Sequence, residues 1–131
     1  MKLIGLDIGT KRIGVAKVDS DTRIAVPVGY FVTDGSEWQE IGRLMRVLET
    51  NQVVLGLPRN NSGAETRQTE YVREFAKELA SRFPEAKIDF QDESFTSVEA
   101  EERLKLRKRG YEKGDIDAEA AAIILQDFIE K

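Results

Sequence analysis

The sequence has neither cysteine nor histidine. Without cysteine there can be no disulfide and no thiolate metal site. Without histidine, both the commonest general base and the commonest zinc ligand are missing. Any chemistry must rest on carboxylates, hydroxyls, lysine, arginine, backbone amides or a hard cation, and a site made of carboxylates suits Mg²⁺ or Mn²⁺. Apolar runs long enough to span a bilayer are also lacking. The opening Met1-Lys2-Leu3-Ile4-Gly5-Leu6-Asp7 meets a carboxylate too early to form a signal-peptide core. The expectation is a cytoplasmic protein with no membrane partner. No linker, repeat or low-complexity tract interrupts the chain.

The 131 residues, 40% hydrophobic and 34% charged, fit one domain over 1–131 with room for a substantial core. A net charge of −4 argues mildly against tight, nonspecific binding to polyanions. A cluster of metal-binding carboxylates would make a nucleic-acid enzyme look acidic in the same way.

Periodicity divides the chain into an α/β pattern. The apolar run 2–8 reads as a strand buried on both faces. Segments 12–19 and 24–32 are rich in β-branched residues and separated by a polar turn, giving an antiparallel start. Ile41, Leu44, Met45 and Leu48 then recur at helical spacing behind Ser36-Glu37-Trp38-Gln39, a capping-box pattern. Val53–Leu57 is a further strand stopped by Pro58. Val72, Phe75, Ala76, Leu79 and Phe83 describe a helix closed by Pro84. A strand at 86–91, a helix from Thr96 with another capping box, and a last helix striped by Ala118, Ala121, Ala122 and Leu125 complete the order βββαβαβαα. Strands linked through helices run parallel, so those at 2–8, 53–57 and 86–91 end on one rim, where open α/β sheets place ligand sites.

Three acidic residues stand out near that rim. Asp7 lies in an apolar strand, where an unpaired carboxylate costs several kcal/mol (roughly) on burial; capping the turn that follows is the ordinary alternative. Gly5, Gly9 and Gly14 bracket it, and glycine in a strand often marks close approach of backbone or ligand. Glu93, in Asp92-Glu93-Ser94-Phe95-Thr96, reads in isolation as a solvated loop residue beside a helix start. Asp117 precedes Ala118-Glu119-Ala120-Ala121-Ala122, small residues that let the last helix approach the sheet; Asp115 suits the cap of that helix, and Glu119 is expected to face solvent. Lys11, Arg12, Arg59, Lys105, Arg107, Lys108 and Arg109 are basic residues that could grip phosphates beside such a site, although a basic run is usually a solvated face.

Taken together, Leu6-Asp7-Ile8-Gly9-Thr10-Lys11-Arg12-Ile13-Gly14-Val15-Ala16, Val54-Leu55-Gly56-Leu57-Pro58, Asp92-Glu93-Ser94-Phe95-Thr96-Ser97 and Asp117–Gln126 resemble the YqgF (RuvX-type) family. These are Holliday-junction-resolvase-like proteins, also described as pre-16S rRNA nucleases. The likeness runs nearly end to end and in order. It implies a ribonuclease H-like fold: a central mixed five-stranded sheet in the order 3-2-1-4-5, strand 2 antiparallel, flanked by helices. It also implies a site for two Mg²⁺ or Mn²⁺ ions made by Asp7, Glu93 and Asp117, and a role in 5′-end maturation of pre-16S ribosomal RNA. Cleavage of branched DNA is the alternative activity. The expected partners are nucleic acid and ribosomal particles, with the chain a monomer or weak homodimer. Resolvases of this superfamily carry a fourth acidic residue one helical turn from the last, where this chain has Gly114 and Ala120; Ser62 stands where many relatives have Asp. Two rivals remain: a noncatalytic RNA-binding module, and an ATP-using enzyme suggested by Asp7-Ile8-Gly9-Thr10. The second needs a pair of such domains around its nucleotide.

Overall fold

The computed structural model describes residues 2–19, 21–60, 62–93, 96–105 and 111–130, with only the backbone given for 96–98. Ser94, Phe95, Arg107, Lys108 and Arg109, and the capping box expected from Thr96, lie outside that description.

The elements are β1 (Lys2–Ile8), β2 (Arg12–Asp19), β3 (Val26–Val32), α1 (Glu37–Leu48), β4 (Gln52–Pro58), α2 (Arg67–Arg82), β5 (Lys87–Glu93), α3 (Thr96–Lys105) and α4 (Lys113–Ile129). They build a five-stranded sheet in the order β3-β2-β1-β4-β5, with β2 antiparallel to its two neighbours and β4 and β5 parallel to β1. This is the mixed sheet expected from the sequence.

Strand alternation separates two cores. Ile4, Leu6, Ile8, Val53, Leu55 and Leu57 point to the face covered by α1 and α2, meeting Ile41, Val72, Phe75 and Leu79. Each fully buried aliphatic side chain there contributes roughly 1.5–3 kcal/mol. On the opposite face, Leu3, Ala16, Val18 and Val54 pack against Ala121, Ala122, Ile124 and Leu125 of α4. That helix lies unusually near the sheet because glycines receive it. A Cβ on Gly5 would stand 3.0 Å from Leu125 Cβ and 3.1 Å from the Ala121 carbonyl oxygen, and one on Gly14 would overlap the Asp117 carbonyl.

Several boundaries differ from the sequence reading. Strand β3 begins at Val26 rather than residue 24, and its pairing with β2 shifts between Val15 and Ala16. Strand β5 runs through Glu93, which is therefore a strand residue and not a loop residue. The capping box expected at Ser36 does not form. Ser36 has helical angles (φ −76°, ψ −15°) instead of the extended ones a capping side chain needs, and its Oγ donates to Asp34 Oδ1 at 2.5 Å. Glu37 instead accepts from the Gly35 amide at 2.6 Å. Helix α4 starts at Lys113, so Asp115 lies inside its first turn and accepts from the Glu112 amide at 2.9 Å. Helix α2 carries a reciprocal Thr66–Thr69 cap, which lacks the Glu or Gln that marks such a box in sequence.

Candidate metal centre

Asp7 is the penultimate residue of β1 and sits opposite Gly14 of β2. Its side chain alternates away from Leu6 and Ile8, so it points toward the α4 face. Because Gly14 has no Cβ, the first turns of α4 settle there and bring Asp117 beside Asp7. Burial, and secondly the charge of Asp117, push the Asp7 carboxyl up to about 7. Such a carboxylate is short of positive charge. Arg12, two residues before Gly14 on the same face, donates from Nε to Asp117 Oδ2 at 2.5 Å; these side chains keep 30% and 23% of their exposure.

Glu93 shares that face. Leu6, Leu55 and Phe90 are level across β1, β4 and β5, which puts Gln91 level with Asp7 and Glu93 one same-face step farther along. The intervening distance is two strand spacings, about 10 Å, plus an offset of about 7 Å along the strand. Among the described residues, no three Asp, Glu, His or Cys side chains stand close enough to hold an ion jointly. The structure thus brings together Asp7 and Asp117, and it places Glu93 on the same face and rim without joining it to them as a formed ligand set.

The rim itself is fixed by contacts that the sequence did not disclose. Gln68 Nε2 donates to the Ile8 carbonyl at 2.9 Å, and Thr69 Oγ1 donates to the Pro58 carbonyl at 2.5 Å, tying the start of α2 to the ends of β1 and β4. The Thr33 amide and hydroxyl hold the β1–β2 turn through the Lys11 and Thr10 carbonyls at 3.1 and 2.5 Å. The Arg59 amide donates to the Glu93 carbonyl at 3.0 Å.

The basic residues divide by their partners. Lys11 is exposed in the β1–β2 turn. Arg59 is drawn into an acidic network, with Nε 3.1 Å from Asp92 and an NH group 3.7 Å from Glu65, which Arg73 also holds at 2.9 Å. The Arg73 guanidinium keeps the Glu65 carboxyl below its ordinary range. Lys105 is exposed at the end of α3, 3.7 Å from Glu102. Glu119, expected in solvent, is instead buried and accepts from Arg103 of α3 at 3.3 Å. Ala120 and Ile123 pack with Ala100 beside it. The available signal was a second apolar stripe on α4, formed by Ala120 and Ile123 off the line through Ala121 and Leu125.

A family model described as "RuvX: Holliday junction resolvase" matches residues 1–131. The chain is 36% identical to a protein of a Sulfurihydrogenibium species, covering 99% of this chain and 90% of that one. It is 39% identical to a Synechocystis protein, covering 97% and 86% respectively. Both bear the name "Putative pre-16S rRNA nuclease". Among solved structures, Thermus thermophilus RuvC in complex with Holliday junction substrate superposes with a TM-score of 0.60 at 14% identity, over 99% of this chain and 94% of that one. The Fowlpox virus resolvase complexed with Holliday junction DNA gives 0.54 at 11% identity, over 99% and 97%. These two likenesses establish a shared ribonuclease H-like fold.

Proposed function

Since the chain belongs to the RuvX family of Holliday junction resolvases, we propose that it is a divalent-metal-dependent endonuclease hydrolysing phosphodiester bonds, working in 5′-end processing of pre-16S ribosomal RNA. The observation that carries the chemistry is the placing of Asp7 against Asp117 on the rim where β1, β4 and β5 end. The choice of RNA is supported by the names of the relatives, which match nearly the whole chain.

The donors fit a hard cation in type and charge. Two carboxylates stand side by side, one of them pushed toward its neutral form, and an arginine already stands in as a cation beside the other. Asp7 and Asp117 would hold the ion, with Glu93 joining from the end of β5. A bound divalent ion supplies an activated water and stabilises the leaving oxygen. The remaining work belongs to the chain. Lys11, exposed beside Asp7's strand end, draws the substrate backbone to the rim, and Lys105, exposed at the end of α3, adds to the positive charge offered to it. Gln68, Thr69 and Thr33 keep the rim backbone fixed, so the carboxylates meet the substrate already aligned.

Branched DNA is the second substrate reading, favoured by the family description. One experiment tests both. The wild-type protein and Asp7→Asn are incubated with precursor 16S ribosomal RNA and with a four-way DNA junction, each with Mg²⁺ or Mn²⁺. Cleavage of the RNA at its 5′ side by the wild type, falling to background in Asp7→Asn, is the expected result. Equal cutting by the two proteins would remove Asp7 from the chemistry. Cutting of the junction alone would transfer the activity to DNA. Tight RNA binding without cleavage under any ion would leave a binding module.

A further inference from the structure

Arg12 is spent on a carboxylate of the site itself. It is the first residue of β2, paired with Val32, and it shares a face with Gly14. Gly14 in turn pairs with Asp7 and lies under the Asp117 backbone. One short stretch of β2 therefore sets a guanidinium within the carboxylate centre, 105 residues away in sequence from the Asp117 it contacts. Helix α4 leaves Asp117 little freedom to turn elsewhere, because its backbone is pressed onto the sheet at that residue.

Two cations would thus draw on one carboxylate group. A divalent ion bound by Asp117 would meet the positive charge of Arg12 at hydrogen-bonding distance from Oδ2. Holding both there means crowding two cations onto one carboxylate. The arginine is the movable one, since its side chain is long and remains partly exposed.

We propose that Arg12 is an internal counter-ion for Asp117, which competes with the divalent ion and is released to the substrate side when the ion binds. In the ion-free protein it balances Asp117 and holds the α4 start against β2. Once released, its planar fork lies one residue from the exposed Lys11, and a guanidinium is the side chain best matched to a phosphate. Ion binding and backbone grip are thereby linked: the grip strengthens when the centre is loaded. This inference rests on the metal-dependent reading above and adds to it an exchange of partners at Arg12.

The test has two readouts, neither of them cleavage. Mn²⁺ binding is measured by calorimetry for the wild type and Arg12→Gln, with circular dichroism confirming the fold. Removing the competitor is expected to tighten Mn²⁺ about tenfold, within the usual range of coupling between two ligands. Unchanged or weaker binding overturns the proposal. If Arg12→Gln does not fold, Arg12→Lys takes its place; it keeps the charge but loses the Nε donor, and a tightening of about threefold is expected. Mere removal of nearby charge is separated by NMR of the wild type. The Arg12 Nε–H resonance, assigned by its loss in Arg12→Lys, should move toward the free-arginine position as Mg²⁺ saturates the protein. If it stays in place while the Asp7 and Asp117 amides shift, Arg12 is not displaced and the proposal fails. Should no resonance respond to Mg²⁺ and no protein take up Mn²⁺, the metal-dependent reading itself falls.

Discussion

Asp7 is held where it would rather be neutral, and that has a cost dependent on pH. Burial and the neighbouring Asp117 push its carboxyl up to about 7 in the fold, from the ordinary 3.8 of an exposed aspartate. Between those values the unfolded chain has given up the proton and the folded chain retains it. The stability contribution of Asp7 therefore falls as pH rises through this window and levels off above it. The whole effect is worth at most roughly 4 kcal/mol. Asp7→Asn in EDTA should accordingly be more stable than the wild type, with an advantage about 2 kcal/mol larger at pH 8 than at pH 5. Urea unfolding of both proteins at the two pH values measures it, and a pH-independent difference would show that Asp7 is not strained. Asp34 and Glu65 are exposed carboxylates shifted the other way, by Ser36 and Arg73, so their contributions fade only on the acid side of this window. Lys11 makes a simpler case. Lys11→Ala should weaken RNA binding evenly across sequences and lower the salt slope by about 0.7, the share of one phosphate contact on a single strand. A sequence-dependent loss would assign Lys11 to base recognition.

At the scale of elements, the seat of α4 on the sheet decides whether the acidic residues meet. Gly14→Ala would drive a methyl group into the Asp117 carbonyl, so either the helix lifts or β2 bends. The expected loss is about 2–3 kcal/mol, as for overpacking, accompanied by weaker cleavage even though no carboxylate has changed. Normal melting and normal activity would mean that α4 has slack at this point. Helix α3 is pinned from the other side by Arg103 on Glu119 and by Ala100, Ala120 and Ile123. The sequence showed the stripe of α4 that faces the sheet but not the one that faces α3, since alanines on two sides of a helix blur any single periodicity. Helix starts were equally mixed. Ser36 has a capping residue type in a helical conformation, whereas the Thr66–Thr69 cap has the geometry without the acidic signature. Residue type marks a cap only where the backbone turns to allow it.

For the molecule as a whole, the element order and the parallel run of β1, β4 and β5 were legible because helices of clear period separate those strands, while the order of the full sheet came from the likeness to a known family along the chain. The position of Asp7 was legible as a charge in an apolar strand. Distances between acidic side chains were not, because they depend on how far α4 sinks onto Gly5 and Gly14 and on which residue ends β5. The net charge of −4 has a consequence at this scale. If the rim carboxylates are a substantial part of the repulsion felt by a polyanion, labelled single-stranded RNA should bind more tightly with Ca²⁺ than with EDTA at equal ionic strength. Fluorescence anisotropy would measure the change, and equal affinities would place the RNA away from these carboxylates.

Tyr30 of β3 pairs with Gly14, and its ring occupies the space that a Cβ on Gly114 would need. Position 114 lies one helical turn before Asp117, where resolvases of this superfamily can carry a further acid. An acid at residue 114 would therefore compete with the Tyr30 ring for one space. Gly114→Asp alone should be rejected by the fold, whereas the same change after Tyr30→Ser should be tolerated. The aromatic ring is thus what an acid at residue 114 must displace, and its half-exposed place on the edge strand sets how easily it yields.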